Sequence, residues 1–213
     1  MRCRERRRGA TVTNRTGIER RYAFVGLASK DGMARVPLVD RDDLPEEYQY
    51  LLGEDALGER NIFRAIGNSP RVLQSYMRYG TTLWEAGELT TRERELLILA
   101  VARALRSEYE WHQHVDIGRE AGLGTDEIAA IGREEFENFE GFDDRDRALL
   151  AYADAFARGE VTDTIHEDLA EFCETSTLTG IAMLCSHYVA TARALDALEV
   201  PLEGSFVGWR PEN

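Results

Sequence analysis

The chain is predicted to be all-α, on three observations. From Leu44 onward the apolar positions recur at helical spacing almost without a break, the periodic segments are bounded by N-cap residues and by glycine or proline stops, and no run alternates as a strand would. Taken in order, Pro45 opens a short helix that reaches Leu52, and Ser69-Pro70 supplies a cap followed by proline at the first helical position. From there to about residue 86, Val72, Leu73, Tyr76, Met77, Tyr79, Leu83 and Trp84 mark a core helix that Gly87 closes. Thr90 and Glu93 read as a capping box for a helix over 91–105, and Ser107 starts another that stops at Gly122. Thr125 opens a short helix, Asp143 caps one that runs to Arg158 before Gly159, and a further helix spans about 164–173. The last long helix covers about 176–198 and ends ahead of Pro201.

Composition narrows the function classes. At 213 residues the chain suits one domain with a substantial core, and a net charge of −13 disfavours nucleic acid, anionic membranes and acidic partners. Lys30 is the single lysine among many acidic residues, which points to a surface adapted to high salt, a halophilic trait, although a GC-rich genome would also replace lysine by arginine. Cys3, Cys173 and Cys185 are scattered without disulfide or zinc spacing, so a reducing cytoplasm is the expected compartment. No apolar run is long enough to span a bilayer.

Residues 1–32 stand apart, with nine basic side chains against three acidic ones in an otherwise acidic chain. They are expected to be a disordered leader or sequence upstream of the true start at Met33. Arg20-Arg21 before an apolar stretch is similar to a twin-arginine export signal, although the stretch is short and lacks a clear cleavage site. The helical domain is expected over 33–202. Residues 203–213 form an irregular tail, with Phe206 and Trp209 tacking it to the body or to a neighbouring subunit.

The candidate chemistry lies in Ser107-Glu108-Tyr109-Glu110-Trp111-His112-Gln113-His114. At ~100° per residue, Ser107, Glu110, Trp111 and His114 share an arc of about 100° on one helix face. Glu95 lies on the preceding amphipathic segment in line with Ile98, Leu99 and Ala102, so two carboxylates and an imidazole are expected to meet inside the domain. Each residue also has a structural reading. Ser107 and Glu110 fit a capping box, Glu95 fits an ion pair with Arg92 or Arg103, His114 fits a satisfied core histidine, and Trp111 fits either a pocket wall or plain core. His112 points about 160° away from His114, so the pair cannot chelate one metal, and Cys185 and His187 fall on different faces of their helix. A buried carboxylate beside a histidine is nevertheless the arrangement that tunes proton transfer to neutral pH.

These residues, with Leu89-Thr90-Thr91-Arg92-Glu93-Arg94-Glu95-Leu96 before them and Ala121-Gly122-Leu123-Gly124-Thr125-Asp126-Glu127-Ile128 after them, resemble the carboxymuconolactone decarboxylase and alkylhydroperoxidase D-like superfamily. Asn61-Ile62-Phe63-Arg64 with Ser69-Pro70, and Leu195-Asp196-Ala197-Leu198 with Glu199-Val200-Pro201-Leu202, extend the likeness over most of the chain after the leader. The resemblance implies an all-α alkylhydroperoxidase D-like fold and a homo-oligomer, a trimer or hexamer. The hydroperoxidase branch uses a glutamate, two cysteines and a histidine, and matching Glu95 and His114 to it puts Ser107 and Glu110 where the cysteines would stand. Thiolate attack and disulfide closure then lack both thiols.

The decarboxylase branch, which acts on small lactone acids without that cysteine pair, is the nearer analogy. The expected function is therefore cofactor-free acid/base chemistry, a decarboxylase or related lyase on a small organic acid or lactone. His114 and Glu110 are the expected catalytic groups with Glu95 in support, Ser107 and Trp111 contact the substrate, Arg103 or Arg106 orients its carboxylate, and no metal is required. Two alternatives stand beside it: hydroperoxide reduction through Cys173 or Cys185, and a non-catalytic oligomeric binding module.

Overall fold

The structure, a computed structural model, describes residues 34–53, 60–85 and 88–211. The basic leader with its arginine pair, Met33, and the helix stop expected at Gly87 lie outside the described residues. Among the described residues there are eight α-helices and no strand: α1 (Asn61–Ile66), α2 (Pro70–Glu85), α3 (Thr91–Ala104), α4 (Glu108–Glu120), α5 (Thr125–Arg133), α6 (Asp144–Arg158), α7 (Asp163–Ala170) and α8 (Thr175–Leu198). None of them is long and apolar enough to cross a membrane.

α3 is the axis of the fold, because α4, α5, α6 and α8 all pack against it. Every residue from Glu95 to Ala102 is at most 2 % exposed. The amphipathic face expected from sequence is thus a helix buried on all sides, which the unbroken run Leu96-Leu97-Ile98-Leu99-Ala100-Val101-Ala102 makes favourable. Each of its leucines contributes about 2 kcal/mol by leaving water. The Thr90 hydroxyl accepts from Glu93 N at 3.2 Å while Glu93 Oε2 accepts from Thr90 N at 2.7 Å, so the capping box forms as read. Arg92 then ties α3 outward, reaching Asp146 of α6 through two bonds of 2.8 Å and Glu127 of α5 at 2.5 Å.

The turn between α3 and α4 sets the register of the candidate stripe. Arg106 adopts a left-handed φ of 53°, with Ser107 N bonded to Ala102 O at 2.9 Å and Arg106 N to Arg103 O at 3.0 Å. That is a Schellman ending with arginine in the place glycine usually takes. Ser107 follows as the N-cap in extended backbone, φ −78° and ψ 95°, without a side-chain cap bond. The capping box read at Ser107 and Glu110 does not form, and Glu110 turns inward instead.

Other boundaries shift modestly. Glu46–Leu52 winds as a 3₁₀ helix, α1 is a short helix not expected from the sequence, and α7 ends at Ala170 rather than at Cys173. Beyond α8 the chain crosses the outer side of α4. Glu203 accepts from Asn61 N and from the Tyr109 hydroxyl, both at 2.6 Å, and from Gln113 Nε2 at 2.5 Å. Gly208 O accepts from Trp111 Nε1 at 2.9 Å, and Trp209 stacks against Trp111 with ring centroids 5.3 Å apart.

Candidate active site

α3 and α4 bring Glu95, Glu110 and His114 together inside the molecule. His114 Nδ1 donates to Glu95 Oε2 at 2.8 Å, and His114 Nε2 faces Glu110 Oε2 at 3.5 Å one turn away on its own helix. Glu95 is 0 % exposed, Glu110 4 % and His114 7 %. Glu95 is therefore paired with neither Arg92 nor Arg103. Its Oε1 is buried with no hydrogen-bond partner among the described residues.

Burial and charge set the proton affinities of this chain of groups. Desolvation pushes the Glu110 carboxyl up to about 7, with the Glu95 charge adding to the rise and His114 opposing it. For His114, burial works against the cation, but the adjacent Glu95 carboxylate, helped by Glu110, outweighs it and raises the imidazole above its ordinary value. The result is an imidazolium fixed on one side by a carboxylate and facing, on the other, a carboxyl that gains and loses its proton near neutrality. Such a pair can deliver a proton and recover it.

Glu110 and His114 form part of the wall of a cavity of about 410 Å³. α2 contributes Tyr76, Met77, Gly80 and Trp84; α4 adds Tyr109 and Gln113; α8 adds His187 and Tyr188; Arg60, Ile62 and Phe63 close it from the start of α1. The lining is chiefly aromatic. Tyr188 meets the His114 ring edge to face at 5.1 Å and accepts from Trp84 Nε1 at 3.3 Å, which fixes both rings. Tyr76 donates to Thr191 Oγ1 at 2.9 Å, since the Thr191 proton is used on His187 O. Burial pushes the Tyr76 and Tyr188 hydroxyls well above the ordinary phenol range, so both stay neutral. Arg60 is exposed and donates to Gln113 Oε1, itself held by Glu203, placing one cation on the cavity wall.

The other sequence candidates lie elsewhere. Ser107, being an N-cap, leaves the helical projection and borders a separate surface hollow with Arg106 and Arg193. Trp111 is fully buried in the main core and belongs to the tail contact, not to the cavity wall. Arg103 donates to Gly132 O and pairs with Glu134 on the far side of α3. His112 is half-buried, with Nδ1 accepting from Val207 N at 3.3 Å. Cys185 sits in the core, where burial pushes its thiol up to about 12, and burial also raises Cys173, which opens on a different hollow. Among the described residues no group of three His, Cys, Asp or Glu side chains is placed to hold a metal ion. The site residues missed from sequence are Arg60, Tyr76, His187 and Tyr188. They come from three segments far apart in the chain, and no local spacing joins them.

Residues 70–155 match the model of the carboxymuconolactone decarboxylase family. A search of curated proteins found no match. Among solved structures, the debrominase Bmp8 in complex with 2,3,4-tribromopyrrole has a TM-score of 0.69 at 18 % identity, over 79 % of this chain and 91 % of its own. An uncharacterized peroxidase-related protein from Ralstonia eutropha JMP134, an alkylhydroperoxidase AhpD core, gives 0.67 at 21 % identity over 86 % of this chain and all 100 % of its own. A protein of unknown function from Agrobacterium tumefaciens gives 0.60 at 17 % identity over 66 % and 96 %. The helical fold is thus the AhpD-like one, and residues 70–155 are similar to the carboxymuconolactone decarboxylase family.

Proposed function

We propose that the protein is an acid/base enzyme, a decarboxylase or related lyase, acting on a small organic acid or lactone with its own side chains carrying the proton. The observation that carries this reading is the buried Glu95–His114–Glu110 chain on the wall of an aromatic cavity that also holds Arg60. Arg60 pairs with one carboxylate of the substrate and keeps it as the anion. The carboxylate to be lost lies toward Glu110 and the aromatic walls, where the His114 imidazolium stands ready to protonate the carbon it leaves. As its carbon–carbon bond breaks, carbon dioxide leaves and the electron pair stays behind as an enolate. The proton shared by His114 Nε2 and Glu110 then passes to carbon and is regained from solvent. Glu95 keeps the imidazole proton on Nδ1 fixed, so that Nε2 is the working nitrogen. A flat ring suits the stacked walls, and the debrominase of the same fold was captured with a flat ring, 2,3,4-tribromopyrrole.

Peroxide reduction is the weaker reading. It needs a thiolate near the relay, whereas Cys185 is held protonated in the core and Cys173 lies at another hollow. The test is carbon dioxide release from a panel of lactone acids and keto acids, run in parallel with His114→Ala. Turnover of at least one compound, reduced about 100-fold or more in the folded variant, is the expected result. Failure to turn over the whole panel, or equal rates in the variant, overturns the proposal.

A further inference from the structure

His187 is a group that the relay leaves unused. It is 9 % exposed, it lines the same cavity as Glu110 and His114, and neither ring nitrogen has a hydrogen-bond partner among the described residues. The two nitrogens are not sealed off as Glu95 Oε1 is, so the polar edge of the ring is reachable from the cavity. Its ring is held by aromatic contacts alone, with Tyr76 at 4.8 Å, Tyr79 at 5.4 Å and Tyr188 at 5.4 Å between centroids. These fix the plane of the imidazole and satisfy none of its polar edge. That edge meets α2 at Gly80, where an added Cβ would stand 3.6 Å from Nε2. The absence of a side chain at 80 therefore leaves the nitrogen open to the cavity. Burial, reinforced by the His114 charge, lowers the basicity of His187, so it stands there as an uncharged imidazole, in contrast to His114.

We propose that His187 is a second ligand-contacting residue, whose Nε2–H donates a hydrogen bond to an uncharged carbonyl oxygen of the bound molecule while Arg60 holds its carboxylate. With no acceptor fixing a proton on Nδ1, the ring is free to carry its hydrogen on Nε2. The site then has two unlike recognition points on one aromatic box, a cation for an anion and an imidazole donor for a neutral oxygen. The ligand class this selects is a small cyclic ester or ketone bearing a carboxylate, in preference to the corresponding ether or hydrocarbon acid. The inference rests on the reading of the cavity as a small-acid site, and its test uses binding rather than turnover.

The probes are γ-butyrolactone-γ-carboxylate and its carbonyl-free analogue tetrahydrofuroate, titrated against the full chain by calorimetry. Wild type is expected to favour the lactone acid by about tenfold, the worth of one hydrogen bond to a buried group. His187→Leu should equalise the two by weakening the lactone acid alone, and His187→Gln, which keeps a donor, should retain part of the preference. Gly80→Ala, whose methyl group lies at ordinary contact distance from Nε2, should reduce the preference with His187 still in place, and it serves if His187→Leu does not fold. A lactone preference unchanged by these variants, or no binding of either probe to wild type, overturns the assignment. A His187-dependent preference without any carbon dioxide release would sink the lyase reading and leave this one standing. His114-dependent turnover with a preference indifferent to His187 would do the reverse.

Discussion

Replacing Glu110 with glutamine should stabilise the protein above neutral pH while removing its chemistry. Folding raises the Glu110 carboxyl from 4.5 to about 7. Between those values the native state holds a proton that the unfolded chain has released, so wild-type stability falls as pH rises through that window and stays lowered beyond it. At about 1.4 kcal/mol per pH unit, the ionised carboxylate costs the native state roughly 3 kcal/mol. Part of that is offset, because Glu110 also helps to raise His114, whose own stabilising contribution is present at low pH and fades as pH rises through its elevated folded value. A net gain of about 2 kcal/mol for Glu110→Gln is expected near pH 8, shrinking toward zero near pH 4 where both side chains are neutral and nearly isosteric. Urea unfolding followed by circular dichroism at several pH values, with m-values compared, measures the gap directly. A gap that does not depend on pH, or a variant less stable than wild type near pH 8, would refute the placement of an ionisable Glu110 inside the protein.

Three further outcomes follow from the geometry. Glu95→Gln removes the charge that holds the His114 imidazole high, so an NMR titration should find the His114 transition at lower pH and any turnover reduced about 10- to 100-fold; an unmoved transition would mean that Glu95 does not set it. Arg106→Gly places the residue suited to a left-handed φ of 53° at the end of α3 and should add about 1 kcal/mol of stability, visible as a rise in Tm. Gly132→Ala would set a Cβ 1.8 Å from Trp209 O, so the variant should lose about 1–3 kcal/mol and expose the tail to limited proteolysis; a tail as resistant as in wild type would contradict the contact.

Much of the scaffold was legible because its boundaries are written in local chemistry. The capping box at Thr90 and Glu93, the Asp143 side chain accepting from Asp146 N, and Gly159 in left-handed backbone are each short-range signals that the structure repeats. α1 escaped because it has only six residues and no side-chain cap, too little for a periodic pattern. The juxtaposition of Glu95, Glu110 and His114 was legible for a similar reason: i, i+4 spacing fixes the latter two, and apolar neighbours mark Glu95 as inward. Ser107 was misplaced because the angular projection was carried one residue past the helix, into an N-cap with extended dihedrals. Arg103 was misread because a helix covered on every side by its neighbours gives no clue to which side holds the cavity. Arg60, Tyr76, His187 and Tyr188 converge only through the packing of α1, α2 and α8, and that is information of tertiary origin.

The last described stretch of chain behaves as a clasp on α4. Glu203, Val207, Gly208 and Trp209 engage Tyr109, His112, Trp111 and Gln113, which flank Glu110 and His114 along α4, Tyr109 and Gln113 themselves lining the cavity. Removing residues 203–211 would therefore withdraw the support of Glu110 and His114 without touching either side chain.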